Sequence, residues 1–94
     1  MKFAYLLMGD FDSRRDRASF PHADVTMIGV RDLADACRTA KELQQDGVTC
    51  IELCGAFGAD GAQQVIAATG RQVAVAYAVH LPAQDELFRQ IFGG

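Results

Sequence analysis

The chain has no surplus of positive charge, few cysteines and no long hydrophobic run, and each shortage excludes something. Twelve acidic residues against nine basic ones leave a net charge of −3. A nucleic-acid or anionic-membrane partner calls for a basic face, so neither is expected. The one basic cluster, Arg14, Arg15 and Arg17, is interleaved with Asp12 and Asp16 and reads as solvated surface. No stretch approaches the roughly 18 apolar residues of a membrane span. Lys2 is followed by only six apolar residues before Gly9-Asp10, too few for the hydrophobic part of a secretory leader. Cytoplasm is the expected compartment. Cys37, Cys50 and Cys54 are an odd number without framework spacing. On an extended strand Cys50 and Cys54 stand about 13 Å apart, so they neither bridge nor share a metal. No P-loop, dinucleotide fingerprint, zinc-protease, nucleophile-elbow or C-x-x-C pattern occurs, so no metal is expected and no cofactor is identified.

What is present is an ordinary globular composition. Half of the 94 residues are apolar and 22% are charged, which fits one folded domain spanning residues 1–94. The chain centres on Thr49–Gly61, T-C-I-E-L-C-G-A-F-G-A-D-G. There an apolar run breaks into a glycine-rich turn and then an alanine-rich helical pattern, the strand–turn–helix unit of parallel sheets.

Lys2–Met8, apolar on both parities, reads as a first strand. Residues 11–23 read as a short helix capped by Asp12 or Ser13, or else as an irregular crossover with Phe11 and Phe20 tucked onto the sheet. Asp24–Val30 is the second strand, and Gly29 inside it signals a bulge or a close backbone approach. Arg31–Gly47 is the clearest helix. Asp32 is its cap, Leu33, Ala36, Cys37, Ala40 and Leu43 form one apolar stripe, and Gly47 ends it. Val48–Cys54 is the third strand. Asp60 is read as the cap of a helix over Gly61–Thr69. Gln72–His80 is the fourth strand, with Val73, Val75, Tyr77 and Val79 on one face and alanines on the other, where a helix can sit close. Leu81-Pro82 opens a last helix whose apolar face is Leu87, Phe88, Ile91 and Phe92. The expected fold is α/β, a four-stranded mostly parallel sheet flanked on both faces by helices, like a flavodoxin or Rossmann fragment. Two sheet edges and the large apolar face of the last helix favour a homo-oligomer, a dimer first.

In a parallel sheet the loops at the carboxyl ends of the strands build the binding crevice. That rule gathers Asp10, Arg31, Glu52, Cys54, the Gly55–Gly61 loop and His80. Glu52 in a central strand is a candidate general base, or a carboxylate that pairs with Arg31 or loop amides and orders the rim. Cys54 is a candidate nucleophile or a small core residue. His80 is a candidate acid or base, or a strand-end histidine bonded to a carbonyl. Gly55 and Gly58 offer amides to an anion, although Asp60 would repel it, and the alternative is a tight turn plugged by Phe57.

The segments F-A-Y-L-L-M, V-T-M-I-G-V-R-D and above all I-E-L-C-G-A-F-G (Ile51–Gly58) resemble a family of small bacterial α/β proteins known as domain of unknown function 6506. The likeness is strongest over Met1–Val79. It implies the fold and no activity. The preferred reading is a protein that holds a small polar or anionic molecule at the carboxyl edge, with Glu52 and the Gly55–Gly58 amides as contacts. The alternatives are a small enzyme using Glu52 with Cys54 or His80, and an oligomerising or partner-binding module.

Overall fold

The computed structural model describes residues 1–93. Five strands form one sheet: β1 (Lys2–Met8), β2 (Arg17–Phe20), β3 (Val25–Val30), β4 (Val48–Leu53) and β5 (Ala74–Tyr77). Their order across the sheet is β2-β3-β1-β4-β5. β3, β1, β4 and β5 run parallel, and β2 pairs antiparallel with β3 at one edge. The helices are α1 (Leu33–Gln45), α2 (Gly58–Ala68) and α3 (Asp85–Phe92).

The sheet therefore has five strands and is mixed, not four strands flanked on both sides. The difference lies in residues 11–23. Asp12 accepts the Arg14 amide at 2.9 Å and caps only a single turn. Arg17–Phe20 then pairs with Val25–Ile28, reversing through Pro21–Ala23 and the left-handed Asp24. Proline stops a helix, and the poor apolar stripe of this stretch left the sheet edge as the better place for its backbone groups. With no helix between β1 and β3, one layer of a doubly wound fold is missing. α1 packs on β3, β1 and β4, while α2 packs on β5 and on α1, so both lie on the same face.

That face is the core. Ala4, Leu6, Ile28, Val30, Ile51 and Leu53 point into it and meet Ala36, Ala40, Leu43, Ala62 and Val65. The register puts Phe3, Tyr5 and Leu7 on the opposite, open face, level with Val25, Met27 and Gly29 on one side. Cys50 and Glu52 lie level with Phe3 and Tyr5 on the other. Ala74 and Ala76 continue that face, whereas Val75 is level with Ile51 on the core side. The alanine parity was legible from the sequence, but α1 and α2 pack against the valine side.

α1 begins and ends as its sequence dictates. Asp32 accepts the Asp35 amide at 2.8 Å, and Gly47 takes a φ of 96° after the last turn. α2 starts at Gly58, three residues before the expected position, and Asp60 sits within its first turn instead of capping it. The fourth parallel strand is confined to Ala74–Tyr77. The loop after β1 straddles the end of β3. On one side Phe11 lies over Gly29, where a Cβ would come within 2.4 Å of the Phe11 ring. On the other side Ser13 is buried and donates to Asp35 at 2.9 Å.

Candidate functional site

β1 is flanked by β3 and β4, and the chain runs to one side of it and then crosses to the other. Such a reversal opens a crevice at the carboxyl ends of the strands. Here the ends of β1 and β4 are tied together. Leu6 O accepts the Cys54 amide at 3.0 Å, and the Met8 amide donates to Cys54 Sγ at 3.4 Å. β4 ends at Leu53, and Cys54, still extended at φ −68° and ψ 165°, leads into the turn. Cys54 packs against the edge of the core, whereas Glu52 is on the open face.

Beyond Cys54 the chain makes a 3₁₀ turn, Gly55–Phe57, and enters α2 through Gly58 at φ 62° and ψ −177°. An L side chain is strained in that conformation, although a Cβ would meet nothing within 4 Å. Glycine is needed here for the backbone and not for space. Phe57 is buried and plugs the turn, and Gly61 lets α2 approach it closely.

α3 stands across from this edge, and a cleft of about 980 Å³ lies between them. Met8, Cys54, Gly55, Ala56 and Gly58 line one side. Tyr77, Ala78, Val79 and His80 form the second, and Asp85, Phe88, Arg89 and Phe92 of α3 the third. Most of this wall is apolar. The polar centre is His80, whose Nε2 is 2.8 Å from Asp85 Oδ1. Its ring stacks on Phe88 with centroids 4.0 Å apart and 12° between planes, and Phe88 stacks in turn on Phe92 at 5.5 Å. Arg89 is held by Glu86, with Nε donating at 3.0 Å, which keeps the Glu86 carboxyl below its ordinary range.

The cleft thus brings together Cys54, His80, Gly55 and Gly58 from the residues expected at the rim. It does not include the others. Glu52 is half-buried on the open face, level with Tyr5 and Ala76. No hydrogen bond ties it to Arg31 or to the loop amides among the described residues. Phe57 is in the core, and Asp10 and Arg31 are exposed at the ends of β1 and β3. Asp85 and Arg89 escaped the sequence reading, and Phe88 was expected on the apolar face of the last helix and not at the rim. Asp85 lies five residues past His80 across Leu81-Pro82, and only a fold-back at that proline brings them together. Among the described residues no group of three or more His, Cys, Asp or Glu side chains is placed to hold a metal ion. No described helix is long and apolar enough to cross a membrane.

A family model, Family of unknown function (DUF6506), matches residues 1–93. The chain belongs to this family. The match runs past Val79, so the segment that carries His80, Asp85 and α3 lies within the extent of DUF6506. No curated protein and no solved structure matches the chain.

Proposed function

We propose that the cleft binds a small molecule with a flat apolar body and one polar or anionic end. The observation that carries this is a site of about 980 Å³ at the carboxyl edge whose apolar walls converge on the His80–Asp85 pair. Ligand sites combine those features: mostly apolar lining with a few placed polar groups. The outer face of the His80–Phe88–Phe92 stack offers apolar surface, His80 keeps Nδ1 for the ligand's polar end while Nε2 is bonded to Asp85, and Arg89 keeps donors beyond those bonded to Glu86. Glu52 is not part of this reading, because it faces the open side of the sheet.

A thermal-shift screen against aromatic and heteroaromatic carboxylic acids tests the proposal. At about a hundred times Kd, a ligand of the folded state adds about 2.7 kcal/mol, a rise of roughly ten degrees or more for a domain this size. His80→Ala is expected to weaken binding about tenfold, the worth of one hydrogen bond with charge on it. Glu52→Gln is expected to keep the full shift. A panel without a binder, or a shift unchanged in His80→Ala, overturns the reading.

A second reading has one specific observation behind it: Cys54 lines the same cleft as a histidine oriented by a carboxylate. That grouping suits a thiol nucleophile with His80 as its base and Asp85 as the residue that positions the ring. Cys37 supplies an internal reference, since burial pushes its thiol up. The enzyme reading expects iodoacetamide near neutral pH to label Cys54 much faster than Cys37, and more slowly in His80→Ala. Equal, slow labelling of both would remove it.

A further inference from the structure

Of the ten large apolar side chains exposed among the described residues, six fall between Val79 and Phe92, beyond the last strand, and three, Phe20, Met27 and Tyr77, lie on strands of the sheet. These are two separate surfaces. One is the open face of the sheet, where Phe3, Tyr5, Leu7, Val25 and Met27 lie under no helix of the chain. The other is the C-terminal arm that ends in α3, an eight-residue helix with no buried residue. A helix that short is marginal in water without packing to hold it. Phe88 and Phe92 line the cleft, whereas Leu81, Leu87 and Ile91 do not line it and are exposed.

We propose that two copies of this chain pair so that the outer side of each arm, Leu81, Leu87 and Ile91, lies on the open sheet face of the other. A parallel sheet is ordinarily covered on both faces. The small residues Ala74 and Ala76 leave a shallow track on that face into which a helix fits closely. Surface area argues for a partner of this kind. The chain exposes 6170 Å². A monomer of 10.2 kDa is expected to expose about 5,300 Å². The surplus of roughly 850 Å² matches the roughly 800 Å² that each partner contributes to a standard interface. A reciprocal contact of this type closes on itself as a two-fold dimer. It leaves the cleft in place, since Phe88, Phe92 and His80 are on the other side of the arm, and it does not depend on what the cleft binds.

Sedimentation equilibrium at about 50 µM tests this. Wild type is expected at twice 10.2 kDa. Met27→Lys on the sheet and Ile91→Lys on the arm are each expected to give a folded chain of single mass, with at least a hundredfold weaker pairing. Gln63→Lys, exposed on α2 on the far side of the sheet, should stay paired. A wild type of single mass overturns the proposal whatever the variants do. So does a pair that persists in either Met27→Lys or Ile91→Lys, because the contact then lies elsewhere.

Discussion

Asp35→Ala is expected to lower the free energy of unfolding by about 3 kcal/mol, which is a large part of the 5–14 kcal/mol or so typical of a chain this length. Asp35 is 8% exposed and lies at the meeting point of three segments. Its Oδ1 accepts the buried Ser13 hydroxyl at 2.9 Å and its Oδ2 accepts the Arg31 amide at 2.9 Å, while Arg38 pairs with it one turn on. Alanine would leave the Ser13 hydroxyl without a partner and release the loop after β1 from α1. Burial by itself would push the Asp35 carboxyl up. The Arg31 amide, the Ser13 hydroxyl and the charges of Arg38 and Arg31 more than offset this, so its pKa lies below the ordinary value. A carboxyl depressed on folding stabilises the protein fully above the unfolded value near 4, and that contribution fades as pH falls through the lower folded value. Urea unfolding of wild type and Asp35→Ala should therefore differ most at pH 6–7, and the gap should narrow as pH falls below the ordinary carboxylate value near 4. Parallel stability–pH curves would show that the carboxylate is not the anchor. Ser13→Ala should cost about 1 kcal/mol, since it removes one of the bonds and leaves the carboxylate its others.

Gly29→Val is expected to cost about 3 kcal/mol as well, by a different route. The added Cβ would sit 2.4 Å from Phe11 Cγ and 2.8 Å from Phe11 Cβ. Those atoms are close to the backbone, so the ring cannot swing clear by a change of its outer torsion alone. The segment itself must lift, and the Gly29 amide then loses its 2.9 Å bond to Asp16 O. Overpacking of this kind costs about 1–3 kcal/mol, and the detached loop adds to it. The same loop carries Ser13, so the two substitutions act on one element. Their effects should fall short of additive in the double variant, and strictly additive losses would show that Phe11 and Ser13 anchor independently.

The contrast between these two positions indicates what could be read in advance. Gly29 announced itself: a glycine inside V-T-M-I-G-V marks a place where something approaches the backbone, and Phe11 was among the aromatic rings expected on the sheet. Asp35 did not. As the fourth residue after Arg31 it looks like a favourable charge in the first turn of α1, and only the path of the β1–β2 loop buries it. The candidate site divides in the same way. Cys54, Gly55 and Gly58 follow from the strand–turn–helix pattern, because the turn after a parallel strand lies at the carboxyl edge of the sheet. Glu52 was placed there too, but the strand stops at Leu53 and the sheet turns its side chain to the open face. Asp85 and Phe88 come to His80 through a bend at Leu81-Pro82 that no periodicity encodes.

Alternating and helical spacing of apolar residues, together with the caps Asp32 and Gly47, settled the parallel strands, α1 and the glycine turn, because these depend on backbone geometry and on neighbours within a few residues. The edge strand β2, the single covered face and the cleft against α3 depended on which surfaces the assembled chain leaves to compete for one another. Residues 17–20 pair with β3 because its edge offers unpaired backbone groups, and that edge exists only once the sheet has formed. The bare face follows from the same choice, since a strand placed at the edge cannot also serve as the helix that would have covered it.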